Sequence, residues 1–165
     1  PPAGTWEHRR AHLFQTAEQW VGPEDVDVDT ALDHLVRRYL AAKLARADFG
    51  ISQFFFDPAD HLRMVDELAA LGCDTPIIPG VMPFISGAGV RRMSAMNGSA
   101  IPAALDARLA AVDGDKEATR ALGVEVASEI ASTLLDAGVP GLHLYTMNQA
   151  RSVREVCANV GLLGA

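Results

Sequence analysis

The sequence predicts an α/β fold of the (βα)8 TIM-barrel type, of which this chain holds only the C-terminal half. Three apolar segments, each followed by a segment with helical periodicity, predict strands that alternate with helices and therefore pair in parallel. A closed barrel typically needs about 250 residues, whereas this chain has 165. Residues 1–27 have no clean period and are predicted to form an N-terminal arm, so the βα units occupy residues 28–165.

The first helix is predicted to begin after Val28, with Asp29 or Thr30 as its N-cap. Its apolar residues recur with the 3.6-residue period of an amphipathic helix. They are Leu32, Leu35, Val36, Tyr39, Leu40 and Leu44. This regular pattern separates the segment from the N-terminal arm, in which Trp6, Phe14 and Trp20 are expected to dock as a cover.

The first strand is predicted over residues 49–56, where Gln53 interrupts an apolar run. A strand that is buried on both faces is expected to be apolar throughout. Gln53 is therefore either a hydrogen-bonded core amide or a group that points at a ligand. Asp57 and Pro58 supply the cap and the first residue of the next helix, which Gly72 is expected to end.

The second strand is predicted over residues 76–83, and its prolines limit it to short ladder pairing. Ser86 is expected to cap the helix that follows, which ends near Gly98. A further short helix opens at Pro102, and Asp115 caps a long one. That long helix stops at Gly138, the third strand covers residues 141–148, and a last helix ends at Gly161.

Composition excludes several classes of protein. A hydrophobic content of 49% and a mean hydropathy of +0.12 are untypical of a disordered chain. A net charge of −7 argues against nucleic-acid partners, because no basic surface exists to displace counterions. No apolar run approaches the roughly 18 residues that span a bilayer, and no secretory signal is recognisable, so no membrane partner is expected. Cys73 and Cys157 are interpreted as buried free thiols, which favours a reducing, cytoplasmic location.

Functional groups of such a barrel lie at the carboxyl ends of its strands and in the loops that follow. This rule selects Gln53, residues 80–84 and residues 145–148, with His143 and Tyr145 on one face of the third strand. An amide, a phenol and an imidazole suit recognition of a flat, hydrogen-bonding ring better than acid–base catalysis. No nucleophile arrangement can be assembled, so the catalytic residues are unknown.

The remaining histidines have structural interpretations. His143 is expected to be a core residue, and His61, in the first turn of a helix, is expected to be solvated. His8 and His12 have a spacing that a metal would accept, but no carboxylate completes a site, so no metal is predicted.

Three sequence blocks together resemble the C-terminal half of methylenetetrahydrofolate reductase. They are ISQFFFD at Ile51, IIPGVMP at Ile77 and GLHLYTMN at Gly141, in an order that extends from about Lys43 to Gly161. The resemblance implies a barrel that reduces 5,10-methylenetetrahydrofolate to 5-methyltetrahydrofolate, an oxidoreductase of one-carbon metabolism and methionine biosynthesis. NADH or NADPH would supply the hydride, and the family implies FAD as the carrier.

The resemblance assigns roles to individual residues. Gln53 matches a glutamine that contacts the pterin and lies near the nicotinamide, and Tyr145 and Asn148 match the last-strand pattern of substrate contacts. Gln149 stands where the family has a folate-contacting arginine. Lys43 matches a lysine that binds the flavin phosphate, provided that one residue is deleted between it and Gln53.

Other positions depart from the family. Gly89 and Met93 stand where the family has a glutamine and a stacking phenylalanine, and GPEDVD replaces a stretch that helps to hold the flavin. Three functions therefore remain open: a reductase that works with or without flavin, a non-catalytic half-barrel subunit, and a different pterin- or folate-binding barrel protein. A half-barrel would self-associate or bind a partner that completes it.

Overall fold

The computed structural model describes residues 28–163, apart from the side chains of residues 28–31. These residues form six helices and three strands. In chain order they are α1 (Val28–Leu44), β1 (Gly50–Phe54), α2 (Pro58–Ala70), β2 (Ile77–Val81), α3 (Gly87–Asn97), α4 (Ala103–Ala111), α5 (Lys116–Asp136), β3 (His143–Leu144) and α6 (Ala150–Asn159). They divide into two compact units, residues 28–47 with 66–74 and residues 48–65 with 75–163.

The smaller unit contains α1 and the end of α2. Leu44 and Leu68 are buried there, and Arg37 Nε donates to Glu67 Oε2 at 2.5 Å. Because α1 begins at Val28, both residues proposed as its N-cap lie inside the helix, and that prediction is wrong. The predicted N-terminal arm, with its tryptophans and with His8 and His12, lies outside the described residues.

The larger unit is built on a parallel three-stranded sheet in the order β1–β2–β3. Gly50 pairs with Ile77, and Gly80 pairs with His143, while the β1–β2 register shifts between Ile51 and Phe54. The strands are shorter than predicted, most of all β3, which has only two residues. A backbone that turns into the left-handed region soon afterwards, at Met147 (φ 46°), cannot continue a strand.

The core of the larger unit lies between this sheet and its helices, and α5 packs against β2, α4 and α6. The closest approach is at Gly123 of α5, where a Cβ atom would lie 1.9 Å from the carbonyl oxygen of Phe84. Helix α5 therefore reaches the segment after β2 only because residue 123 has no side chain. Ala131 and Leu134 of the same helix are completely buried.

Several other helix ends lie where local sequence signals predicted them. Ser86 Oγ accepts from the Gly89 N–H at 3.2 Å, and Asp57 Oδ1 accepts from the Ala59 N–H at 2.9 Å. Gly98 has a left-handed φ of 74° at the end of α3. These caps satisfy backbone groups that a helix leaves unpaired at its ends, which is why short polar and glycine signals locate them.

The α/β class and the parallel pairing are confirmed, and the partial barrel remains a prediction. Cys73 and Cys157 are free thiols, as expected, but they are half-buried rather than buried. Across residues 28–163, no helix has the length and apolarity that a membrane crossing requires.

Candidate functional site at the carboxyl ends of the strands

Gln53 is exposed on β1, whereas its neighbour Phe54 and the following Phe56 are buried in the core. The Gln53 Oε1 atom accepts a hydrogen bond of 3.3 Å from the Phe54 N–H. This bond turns the side-chain oxygen toward the backbone and leaves the amide NH₂ as a donor. Gln53 is therefore not a core amide, and its contact with a ligand remains a prediction.

Tyr145 lies just beyond β3 and crosses β2 to reach β1. Its phenol donates to the carbonyl oxygen of Ser52 at 3.2 Å. The ring passes over Gly80, where a Cβ atom would lie 2.7 Å from Tyr145 Cε2, 2.5 Å from the Ser52 oxygen and 3.0 Å from the Gln53 carbonyl carbon. Gly80 thus leaves the space in which the phenol meets the Ser52–Gln53 peptide.

The aromatic ring of Tyr145 is also held by two edge-on contacts. Its centroid lies 4.6 Å from that of His143 and 6.3 Å from that of Phe54. His143 is half-buried, so its expected place in the core is only partly reached. Edge-to-face packing of this kind restricts the ring and so fixes the phenol on Ser52.

The turn after β3 places the two remaining predicted site residues. Met147 and Asn148 have left-handed φ angles of 46° and 61°, and the Gln149 N–H donates to the Thr146 oxygen at 2.6 Å. Asparagine tolerates this conformation, but methionine adopts it only at a cost. Asn148 is exposed, and Gln149 is half-buried at the start of α6.

Gln149 lines a cavity of about 550 Å³ in the larger unit. The other walls are residues 85–88, where α3 begins, and residues 113–120, where α5 begins. Sequence reasoning found Gln149 but missed Lys116, Arg120 and the cavity itself. The available signal was that Ser86 caps a helix that directly follows β2, since loops after the carboxyl ends of parallel strands form such sites.

An ion-pair network joins α5 to α6 beside this cavity. Arg120 contacts Glu117 at 2.8 Å and Glu155 at 2.6 Å, and Arg151 contacts the same two carboxylates at 3.1 and 3.0 Å. The hydrogen bonds from Arg120 lower the pKa of both Glu117 and Glu155 below the usual range and raise the pKa of Arg120 itself. Glu117 and Glu155 are therefore ionised at neutral pH, and Arg120 is protonated.

His61 was expected to be solvated, and that expectation is wrong, because only 2% of the residue is exposed. Its ring stacks on Phe55 with centroids 5.6 Å apart, and neither ring nitrogen has a hydrogen-bond partner among residues 28–163. Burial lowers the pKa of His61 by desolvating its charged form. The sequence did hold a signal: His61, Met64 and Leu68 are spaced as one helix face, on which Met64 is half-buried and Leu68 is buried.

Two predictions about the site remain: the role of Lys43 and the absence of a metal. Lys43 is exposed in the last turn of α1, in the smaller unit, and its role beside Gln53 stays a prediction. Among the residues that the structure describes, no group of three or more His, Cys, Asp or Glu side chains is placed to hold a metal ion.

The sheet and the polar groups beyond its strands define an α/β protein with a candidate small-molecule site at the carboxyl edge of parallel strands. A family model described as methylenetetrahydrofolate reductase matches residues 20–161. The chain belongs to the methylenetetrahydrofolate reductase family.

Curated relatives agree with this assignment. Methylenetetrahydrofolate reductase (NADH) 1 of Arabidopsis thaliana is 36% identical over 126 residues, which are 76% of this chain and 21% of that protein. The probable methylenetetrahydrofolate reductase (NADPH) of Caenorhabditis elegans is 36% identical over 126 residues, 75% of this chain and 19% of that protein. The 5,10-methylenetetrahydrofolate reductase of Escherichia coli K12 is 30% identical over 142 residues, which are 86% of this chain and 47% of that protein. The chain therefore spans less than half the length of these relatives.

Proposed function

We propose that the protein is an oxidoreductase that reduces 5,10-methylenetetrahydrofolate to 5-methyltetrahydrofolate, with a reduced nicotinamide as the hydride source. The observation that carries the proposal is the family match over residues 20–161. It is supported by the exposed Gln53 amide, which is adjacent to the peptide that Tyr145 holds at the carboxyl end of β1. In this reaction a hydride adds to the methylene carbon, the bond from that carbon to N10 breaks, and N10 takes up a proton.

Each proposed site residue has a separate role in binding, which follows from the chemistry of its side chain. The free NH₂ of Gln53 donates to an acceptor on the pterin ring or on the nicotinamide carboxamide. Tyr145 fixes the peptide that carries Gln53, so the direction of the amide depends on the phenol. Asn148 and Gln149 contact the folate from the turn after β3. The proton donor is not assigned to any of these residues, because the three amides are not acids and the Tyr145 phenol already donates to the Ser52 carbonyl oxygen.

The two cofactors that the resemblance implies fit the described residues differently. A nicotinamide carboxamide is a planar amide that pairs well with the exposed amide of Gln53. The cavity beside Gln149 does not offer a flavin site, because no aromatic side chain lines it and its Arg120 is already paired with two carboxylates. NADH or NADPH is proposed to deliver the hydride directly, and no step is assigned to FAD or to the Lys43 that the resemblance places at its phosphate.

The test is oxidation of NADH and NADPH by the purified protein, followed by absorbance and repeated with and without methylenetetrahydrofolate. Oxidation that depends on the folate, in a preparation without flavin absorbance, supports the proposal. If the protein contains a bound flavin that reduces the folate, the proposed reaction stands, but direct hydride transfer from the nicotinamide is contradicted. A protein that binds folates without consuming a nicotinamide is the different pterin- or folate-binding protein left open by Gln149.

Gln53→Ala tests the proposed amide contact. The side chain is exposed, and from the described residues it accepts one long hydrogen bond, so its loss should hardly change the melting temperature. Folate affinity should fall by roughly tenfold, as expected for a lost ligand hydrogen bond. Ser132→Ala, at an exposed position of α5 away from the cavity, is the matched control. A large fall in melting temperature with affinity intact would remove Gln53 from the site.

A second candidate function is a subunit whose sheet is completed by another polypeptide segment or by self-association. It is favoured by β1, which lies at the edge of the described sheet and exposes 48% of Ile51, beside Phe49 at 51%. Apolar side chains at an open sheet edge are suited to pairing with a further strand. A stable complex with a second chain and no turnover of NADH or NADPH would favour this function.

A further inference from the structure

Strand β1 has one residue more than β2 near its carboxyl end. Ile51 pairs with Ile78 and Phe54 pairs with Gly80, so three steps along β1 correspond to two along β2. An extra residue of this kind is a β-bulge, which interrupts ladder pairing and changes the direction of a side chain. Gln53 lies within this bulge, and its exposure therefore depends on the local conformation of the strand as well as on the alternation of its side chains.

The hydroxyl of Ser52 joins the bulge to the middle strand. Its oxygen accepts from the Gly80 N–H at 3.0 Å, and its proton is donated to the carbonyl oxygen of Gln53 at 3.0 Å. One hydroxyl therefore serves as acceptor and as donor, which its chemistry allows. Because Gly80 is buried, loss of the Ser52 hydroxyl would remove the acceptor of a buried backbone N–H, which is costly.

The carbonyl groups on both sides of this bond are also held by side chains. The Ser52 oxygen accepts from the Tyr145 phenol at 3.2 Å. The Phe54 oxygen accepts from Asn97 Nδ2 at 3.0 Å and from Ser99 Oγ at 3.2 Å, at the end of α3 and just beyond it. Three successive carbonyl groups of β1 are therefore fixed by side-chain donors.

The side chain of Gln53 is held much less firmly than its backbone. It is exposed, and its Oε1 atom accepts a longer bond of 3.3 Å from the Phe54 N–H. A fixed backbone below an available amide sets the direction of that amide before a ligand arrives, which is the requirement for preorganised binding. Of the described groups that hold this segment, the Ser52 hydroxyl is the one that contacts the carbonyl of Gln53 itself.

We propose that Ser52 is a positioning residue, whose hydroxyl holds the bulge in the conformation that directs the Gln53 amide at the folate. This inference rests on the proposed function, in which Gln53 contacts the substrate. Both bonds of the hydroxyl are made to the backbone, so Ser52 acts through Gln53 and not on the substrate. Its contribution to binding should therefore exist only while the amide of Gln53 is present.

A double-mutant cycle between Ser52 and Gln53 tests this dependence. Calorimetry measures the dissociation constant of 5-methyltetrahydrofolate for the parent, Ser52→Val, Gln53→Ala and the variant that carries both changes. Ser52→Val should weaken binding by about fivefold in the parent, less than Gln53→Ala does, and no further in the Gln53→Ala background. Its fall in melting temperature should be equal in the two backgrounds, because Gly80 loses its acceptor in both.

Two further variants separate positioning from stability. Ser52→Thr keeps the hydroxyl on a side chain with the shape of valine, so it should restore both the affinity and the melting temperature. Ser128→Val, in α5, is the matched control, because the Ser128 hydroxyl donates to the Val124 oxygen at 2.7 Å and accepts from Asn159 Nδ2 at 3.0 Å. This control should lower the melting temperature without changing the folate affinity.

The outcomes separate this inference from the function on which it rests. If Ser52→Val weakens binding equally with and without the Gln53 amide, or not at all, the positioning role is wrong while the proposed function stands. If Gln53→Ala does not weaken binding, the amide contact and this inference fail together, and folate-dependent oxidation of NADH is unaffected by that result. A parent that does not bind 5-methyltetrahydrofolate contradicts the proposed function and this inference with it.

Folding of the variants gives a last criterion. If Ser52→Val and the smaller Ser52→Ala both fail to fold while Ser52→Thr folds, the hydroxyl is a structural group and the positioning role is overturned. A Ser52→Thr variant that folds but binds as weakly as Ser52→Val overturns it too, because the hydroxyl then does not determine the affinity.

Discussion

The phenol of Tyr145 donates a 3.2 Å hydrogen bond to the carbonyl oxygen of Ser52, across the strand that separates them. The contact exists because Gly80 on the middle strand leaves space for the ring. It fixes the peptide of Gln53, the residue whose amide is proposed to face the ligand. Tyr145, which the family resemblance assigns to substrate binding, therefore also positions the peptide of Gln53.

Tyr145→Phe removes this hydrogen bond and keeps the ring. The free energy of unfolding should fall by about 0.5–1.5 kcal/mol, because the Ser52 carbonyl loses its partner. Folate affinity should fall as well, since Gln53 is less firmly oriented. Denaturant unfolding and ligand titration measure the two effects. Tyr39→Phe, at a tyrosine that is 56% exposed, is the control and should change neither quantity. Equal effects of the two variants would show that the phenol of Tyr145 has no special role.

Gly123→Ala tests the contact of α5 with the segment after β2. Helix propensity alone favours alanine by about 1 kcal/mol. The new methyl group would lie 1.9 Å from the Phe84 oxygen, a backbone atom that cannot rotate away. Overpacking should therefore reverse the sign and destabilise the protein by about 1–3 kcal/mol.

The control for this contact is Gly89→Ala in α3. The nearest atoms to its Cβ position are the side-chain atoms of Ser86 at 3.4 and 3.5 Å, so the methyl group fits with little adjustment. This variant should stabilise the protein by up to about 1 kcal/mol. Thermal unfolding of both variants measures the two changes in stability. A Gly123→Ala variant that is more stable than the parent would contradict the close approach of residue 123 to the Phe84 carbonyl oxygen.

His61 gives the protein an acid-sensitive element. Burial lowers the pKa of His61 in the folded state, so the unfolded state binds a proton more readily. The stabilising contribution of a neutral His61 is complete above the ordinary imidazole pKa of about 6.5 and is lost as the pH falls below it. Urea unfolding between about pH 8 and 5 should show this loss.

His61→Phe should abolish that part of the pH dependence and keep the stack on Phe55. It should also remove two ring nitrogens that have no partner in the described part of the chain. Stability of the variant at neutral pH should equal or exceed that of the parent. His34→Gln, at an exposed position of α1, should leave the pH profile unchanged. A parent profile that matches that of His61→Phe would show that His61 is protonated equally in the folded and unfolded states.

Arg120→Met tests which cation controls the acidic pair. Because hydrogen bonding to Arg120 is the largest cause of the lowered pKa values, the pKa of both Glu117 and Glu155 should rise toward the ordinary value. Arg151→Met should raise them less, since its contacts contribute less. Carboxyl titration by NMR measures both. A larger rise in Arg151→Met would reverse the order of the two arginines.

The sequence by itself determined the local structure. Helix caps at Ser86 and Asp115, the glycine end of α3 at Gly98 and the strand–helix alternation were all predictable, because each depends on residues within a few positions of one another. The family resemblance likewise depended on short blocks and is confirmed by the match to residues 20–161. Even so, periodicity overestimated β3, whose length is limited by the turn at Met147.

Only the tertiary structure decided which polar groups are buried and which are available. The exposure of Gln53, the burial of His61 and the contact between Tyr145 and Ser52 depend on residues that pack from elsewhere in the chain. The cavity that Gln149 lines brings together three separate segments. Periodicity specifies the face of an element on which a side chain lies, but burial and charge pairing depend on what that face meets in space.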